Sequence, residues 1–227
     1  HDMILRLTDN AKNIVHVPKL MYYWRSHAGS VASDINAKSY AIEAARGAVA
    51  DHLRAHGFKN FRISSTRAFE TIFKISYEIE GNPKISIVIP NKDHRSDLER
   101  CITSIKEKST YGNFEIIVVE NNSEQEDIFE YYESLKGDKN IKIVKYEGEF
   151  NYSKICNLGE KEATGEYILL LNNDTQVITV NWMEELLMYA QRSDVGAVGA
   201  KLYYGNKTIQ HAGVVIGLGA HRTAGHT

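Results

Sequence analysis

The chain has 227 residues, 43% apolar and 25% charged, enough for one full-size domain or two small ones with a packed core, which excludes a long disordered chain. The net charge is −2, but residues 1–84 carry 12 Lys/Arg against 8 Asp/Glu and residues 85–227 carry 15 against 21. The acidic larger part argues against a nucleic-acid-binding surface. No stretch reaches the roughly 20 apolar residues of a membrane span; the best, Ala212–Ala220, is broken by glycines.

The chain opens on His1 inside an apolar-periodic segment, with no initiator Met and no signal-peptide pattern, and is therefore expected to be a piece of a longer protein. Periodicity predicts a helix over Met3–Ala11, an extended run over Ile14–Trp24, and a long helix over Ala37–His56 ended by Gly57. The stretch from Arg62 to Glu80 reads as two strands or a hairpin. Gly81-Asn82-Pro83 is the clearest punctuation, and a boundary is placed there.

Beyond it, short apolar runs alternate with capped helical patterns. The runs begin at Ile85, Phe114, Ile141, Tyr167 and Val195, and near-continuous β-branched runs of this length read as strands buried on both faces. Between them, Ser96 with Glu99, Ser123 with Glu126 and Asn181 with Glu184 show the polar cap and acidic third position of a helix start. Leu98, Cys101, Ile102 and Ile105 share one face of the first of these helices, and a further helix is predicted over Ser153–Ala163. Strand and helix in repetition imply right-handed crossovers, so the fold class is α/β: a Rossmann-like half with a mostly parallel sheet, preceded by a small α+β segment. Cys101 and Cys156 read as reduced core thiols, in keeping with a reducing compartment.

Ligands of such sheets sit beyond the carboxyl ends of the strands. There the sequence places Pro90-Asn91-Lys92-Asp93, Glu120-Asn121-Asn122-Ser123 and Asn172-Asn173-Asp174-Thr175. Any one of these is ordinary turn chemistry; three on one edge mark a site. Neither a G-x-G-x-x-G fingerprint nor a P-loop is present, so phosphates, if bound, need another device, and a metal bridge is the natural one.

Four segments, ISIVIPNKD (85–93), IVVENNS (117–123), NYSKICNLG (151–159) and LLLNNDTQV (169–177), resemble in order and spacing the signatures of family 2 glycosyltransferases of the GT-A fold. The likeness runs on through 196–202 and 209–215. It implies a nucleotide-diphosphate sugar as donor, a saccharide as acceptor, and Mg²⁺ or Mn²⁺ as cofactor held by Asp174, with Asn172 standing where the first acidic residue of an Asp-x-Asp motif usually does. One carboxylate, water and diphosphate oxygens suit such a cation. The resemblance further implies donor contacts from Pro90, Asn91, Asp93, Glu120, Asn122, Lys154 and Asn157, and places Lys201 and His211 near the donor or acceptor.

Residues 1–57 are similar to the far end of the same family's catalytic domain. By that likeness Arg25 and His27 approach a diphosphate, and the general base lies outside the chain. The domain reading is therefore 1–57 as the tail of a preceding module, 58–84 as a linker with a hairpin, and 85–227 as the donor half of a second module. The implied activity is inverting, metal-assisted sugar transfer in bacterial surface-polysaccharide synthesis at the cytoplasmic side of the membrane, with the fragment itself inactive. Two other readings compete. A non-catalytic nucleotide-binding or scaffolding module is favoured by Asn172; a nucleotidyltransferase is disfavoured by the lack of a Gly-rich basic loop after the first strand.

Overall fold

The computed structural model describes residues 1–23, 40–216 and 224–226. They fall into two compact units, His1–Glu78 and Ile79–Thr227, divided just ahead of the Gly81-Asn82-Pro83 turn. No helix among the described residues is long and apolar enough to cross a membrane.

In the first unit α1 (Asp2–Asn10) packs on α2 (Tyr40–Ala55), and β1 (Phe61–Ser65) pairs antiparallel with β2 (Phe73–Tyr77) from Phe61↔Tyr77 to Ser65↔Phe73. Gly57, at φ +88, stops α2 in the left-handed conformation that lacks a penalty only for glycine, and the Phe58 N–H reaches back 3.0 Å to the Leu53 carbonyl. The extended run expected from Ile14 forms no assigned strand over 14–23. An extended segment with no strand beside it has no sheet in which to bury a face. Accordingly α1 buries no residue, and Met3, Ile4, Leu7, Ile14 and Val15 are exposed.

The second unit is built on β3 (Ile85–Asn91), β4 (Phe114–Glu120), β5 (Ile141–Lys145) and β6 (Tyr167–Leu170), in spatial order β5-β4-β3-β6 and all parallel. Connecting them are α3 (Arg95–Lys108), α4 (Glu126–Leu135) and α5 (Tyr152–Lys161), with α6 (Trp182–Ala190) after β6. Alternation along the strands explains the continuous apolar runs. Ile87, Ile89, Ile116 and Val118 meet Leu98, Cys101, Ile102 and Ile105 of α3, Ile128 and Tyr132 of α4, and Met183 and Leu187 of α6. Val88, Ile117 and Val119 face the other way, onto Ile155 of α5. Gly159 lets α5 lie this close: a Cβ there would stand 2.3 Å from a Val88 methyl carbon.

Two antiparallel ribbons follow, β7 (Leu202–Tyr203) with β8 (Ile209–His211), and β9 (Val214–Ile216) with β10 (Ala224–His226). The fifth strand expected at Val195–Val198 does not form. The run holds two valines, Val195 and Val198, interrupted by Gly196 and followed by Gly199, too little side chain to fasten it along a sheet edge. The expected helix caps also differ. Helix α3 begins ahead of Ser96, at Arg95; the Ser123 hydroxyl serves another partner, described below; and Asn181 occupies the cap position of α6 but points its amide to Glu185, 3.1 Å away.

Candidate functional site

The parallel register sets Asn91 beside Glu120 and Glu120 beside Lys145, so β3, β4 and β5 end together. Beyond them the chain turns sharply: Asp93, His94 and Asn122 all have φ between 51° and 55°. Asp and Asn tolerate this left-handed region better than most residues because their short polar side chains bond locally.

Those bonds tie the loops to one another. Glu120 is only 4% exposed, and its carboxylate accepts from the Ser123 N–H (2.5 Å), the Ser123 hydroxyl (2.6 Å) and the Tyr132 hydroxyl (2.7 Å). Tyr132 in turn accepts from Asn91 Nδ2 at 2.8 Å, and Asn91 Oδ1 accepts from Asn173 Nδ2 at 2.6 Å. One chain of hydrogen bonds, Glu120 to Tyr132 to Asn91 to Asn173, thus crosses the ends of β4, β3 and β6. Burial, reinforced by the neighbouring Glu120 carboxylate, pushes the Tyr132 phenol above its ordinary range and keeps it a donor.

Asp93 works across loops. Its Oδ1 accepts from the Gln125 and Glu124 N–H groups at 2.9 and 2.7 Å, capping α4 from outside, while its own N–H donates to Ser123 Oγ at 2.7 Å. The Gln125 bond, then the Glu124 bond, holds its carboxyl below the usual range. The loop after β6 rests on Cys101, whose thiol lies 3.7 Å from the Asn172 carbonyl and 3.5 Å from Thr175 Oγ1; burial pushes that thiol up.

Between these loops lies a cleft of about 430 Å³. Of the residues singled out from sequence, it brings together Pro90, Asn91, Asp93 and Asn172. Glu120 is turned inward, its oxygens engaged within the protein. Asn122 is exposed, its amide donating to the Gly148 carbonyl at 2.8 Å. Lys154 and Asn157 are exposed on α5, and Asp174 is exposed on the loop after β6. Lys201 Nζ lies 5.1 Å from the Tyr203 ring centroid, and His211 is half-buried on β8, paired with Leu202. Arg25 and His27 lie outside the described residues.

The cleft also has walls that sequence reading did not single out. Asn121, Asn173 and Tyr152 line it, and Tyr132 braces it from behind. Asn121 and Asn173 sit inside the polar clusters already noted. Tyr152 precedes a predicted helix, and Tyr132 carries no local signal, being one apolar-face aromatic among several.

Among the described residues, the His, Cys, Asp and Glu side chains close enough together to share one ion are Asp9, His52 and His56 in the first unit. Asp174 brings a single carboxylate to the strand-end region.

A parallel α/β sheet with its loops wired around an asparagine-lined cleft at the carboxyl edge defines a Rossmann-like protein with its site where such folds keep theirs. Residues 86–217 match the model of Glycosyl transferase family 2, more than half of the chain, and the chain belongs to that family. It is 39% identical over its full length to an uncharacterised protein of Sinorhizobium fredii, of which it covers 25%. It is 34% identical over 96% of its length to the O-antigen biosynthesis protein RfbC of Myxococcus xanthus, of which it covers 17%. The chain thus spans a quarter or less of these relatives. Among solved structures, the mannosyltransferase PcManGT of Pyrobaculum calidifontis, in complex with GDP-Man and Mn²⁺, is 13% identical with a TM-score of 0.46, over 74% of this chain and 46% of that one.

Proposed function

We propose that the strand-end cleft binds a nucleotide-diphosphate sugar, and that the protein to which this chain belongs transfers the sugar to a saccharide acceptor with inversion, in bacterial surface-polysaccharide synthesis. The observation that carries this reading is the cleft itself: amide-rich, at the carboxyl edge, with an exposed carboxylate, Asp174, on one of its loops. Family membership and the likeness to an O-antigen biosynthesis protein support it. In the same reading residues 1–57 end one module and residues 85–227 begin the next, and the buried free thiols Cys101 and Cys156 fit the cytoplasmic side of the membrane.

The donor set suits a hard divalent cation, Mg²⁺ or Mn²⁺. One carboxylate from Asp174 and the Asn172 amide oxygen leave room for water and diphosphate oxygens, the usual complement of such ions. When bound, the cation offsets negative charge on the leaving diphosphate. The chain's own residues do the rest. Asn91 and Asn173, locked to each other and braced by Tyr132, present amides of fixed orientation. Tyr152, at the start of α5, offers a ring face to a planar group, and the helix start behind it favours an anion.

In the overall transfer, an acceptor hydroxyl oxygen bonds to the anomeric carbon while the diphosphate leaves with the electron pair of the old bond and a base takes the proton. Asp93 is the one carboxylate lining the cleft among the described residues, and it is committed to α4. Glu120 is committed to Ser123 and Tyr132. No general base for the acceptor is therefore assigned among the described residues, and the chain alone is expected to bind donor without transferring it. Asn172 in place of a carboxylate favours a second reading, a nucleotide-binding module that scaffolds a neighbour.

Thermal unfolding with UDP, GDP, CDP and dTDP sugars, with and without Mn²⁺, tests the proposal. One nucleotide at about 100 times its dissociation constant should stabilise the chain by roughly 2.7 kcal/mol, and only with the cation. No shift with any nucleotide sinks the donor-site reading; a shift indifferent to Mn²⁺ sinks the metal.

A further inference from the structure

We propose that Asp9, His52 and His56 form a divalent transition-metal site in the first unit, suited to Zn²⁺. It is independent of the donor cleft and of the cation proposed at Asp174.

The two histidines stand four residues apart at the end of α2, and the His56 N–H still bonds the His52 carbonyl at 3.1 Å, so the helical turn carries both rings to one side. Their centroids are 4.2 Å apart. Asp9, from α1, straddles the pair: Oδ2 lies 3.1 Å from His52 Nδ1 and Oδ1 lies 3.5 Å from His56 Nε2. With metal–ligand bonds of about 2.0–2.2 Å, angles from tetrahedral down to square put neighbouring ligand atoms roughly 2.9–3.5 Å apart. Both separations fall in that span, and ligand atoms of all three residues lie within 4.8 Å of one another. The widest gap closes by rotating a ring that is partly exposed.

Tautomer chemistry strengthens the assignment. His56 Nδ1 lies 2.8 Å from the His52 carbonyl oxygen, which can only accept, so Nδ1 carries the proton and donates. In the neutral ring Nε2 then keeps its lone pair, aimed at a carboxylate oxygen. Lone pair against carboxylate is repulsive unless a proton or a cation lies between them. Metal-bound histidines are oriented in this way, with the remote ring N–H held by a backbone carbonyl. Two imidazoles and one carboxylate select a borderline ion such as Zn²⁺ over Mg²⁺, which prefers oxygen alone. Side-chain exposures of 31%, 26% and 46% for Asp9, His52 and His56 leave an entry path and room for water as the remaining ligand. Because α1 buries no residue of its own, an ion shared with α2 would clip the two helices together.

The test is calorimetric titration of the chelator-treated 227-residue chain with Zn²⁺, alongside nitrogen-edited NMR of the histidine rings. One Zn²⁺ per chain is expected, with His52 and His56 ring signals shifting together, and a Co²⁺ adduct should show visible ligand-field absorption. His52→Ala and His56→Ala should each weaken Zn²⁺ binding by at least about tenfold, whereas Asp174→Ala should leave it within twofold. Absence of Zn²⁺ binding overturns the proposal. So do wild-type affinity in both histidine variants, loss of binding in Asp174→Ala, or ring shifts confined to other histidines. The NMR arm stands on the wild-type chain and holds even if a variant folds poorly.

Discussion

The two ends of the four-stranded sheet use the same kinds of side chain to opposite effect. At the amino end, Glu115 of β4 accepts from Ser86 Oγ at 2.6 Å, Lys84 Nζ at 3.0 Å, and the Thr164 N–H and hydroxyl at 2.7 and 2.9 Å. Ser86 Oγ also accepts from the Gly165 N–H. This network is closed, each donor meeting an acceptor inside it, and it staples β3 and β4 to the turn between α5 and β6. At the carboxyl end, Glu120 of the same strand accepts only from neutral groups, and its network runs outward through Tyr132 and Asn91 to Asn173 at the cleft wall. A carboxylate surrounded by donors holds a fold together. One that orients a tyrosine, which orients an amide, prepares a surface for something else.

The largest break in this contrast is expected from Glu115→Ala. It strips a part-buried ammonium and three further donors of their acceptor and should cost about 3 kcal/mol in urea unfolding, with nucleotide affinity of the folded protein unchanged. A loss under about 1 kcal/mol would show the staple to be decoration.

Acid should probe the same staple. Burial raises the Glu115 carboxyl, but bonds from Ser86, Thr164 and Lys84 outweigh it and bring the value down from 4.5 to about 2. A group depressed in the folded state adds stability above its unfolded value and loses it as pH falls toward the folded one. Between pH 4.5 and 2 the wild type should therefore lose on the order of 2–3 kcal/mol that Glu115→Gln does not. Parallel pH profiles for the two chains would contradict the assignment.

At the other end the expected effects fall on binding. Asp174→Ala should weaken nucleoside diphosphate binding in Mn²⁺ by at least tenfold, about 1.4 kcal/mol, with stability changed by less than about 0.5 kcal/mol, as checked by calorimetry and urea unfolding. Tyr132→Phe should be smaller still, about 1 kcal/mol of stability, because Glu120 keeps Ser123 and Asn91 Nδ2 keeps the Asp93 carbonyl at 2.9 Å. Its distinguishing sign is a severalfold drop in nucleotide affinity as Asn91 loosens. An unaltered affinity would mean that the outward network ends at Tyr132.

The contrast also separates what could be read from residues alone. Glu115 and Glu120 stand five positions apart in one strand, each next to an apolar residue of that strand, and their partners tell them apart. Apart from Ser123, three residues beyond Glu120, those partners come from Lys84 and Ser86 at the start of β3, from α4 and from the turn after α5, none of them local. The same holds for the start of α4. Ser123 with Glu126 has the spacing of a capping box, yet Asp93 on another loop supplies the cap, and the serine hydroxyl goes to Glu120. Local pattern names a plausible partner; the tertiary fold offers a closer one.

By itself the sequence determined the parallel α/β class of the second unit's sheet and where along the chain its four strands lie. A parallel strand covered on both faces must be apolar at nearly every position, and Ile85–Ile89 and Ile116–Val119 carry that pattern without help from context. It also determined which loops meet at the carboxyl edge, because right-handed crossovers leave no other place for them. Only the tertiary structure decided that Glu120 faces inward, that Tyr132 joins β3 to β4, and that Asp9 reaches the two histidines at the end of α2. Each depends on the register between elements distant in the chain. That register is set by how whole faces pack, a property that no single stretch of residues contains.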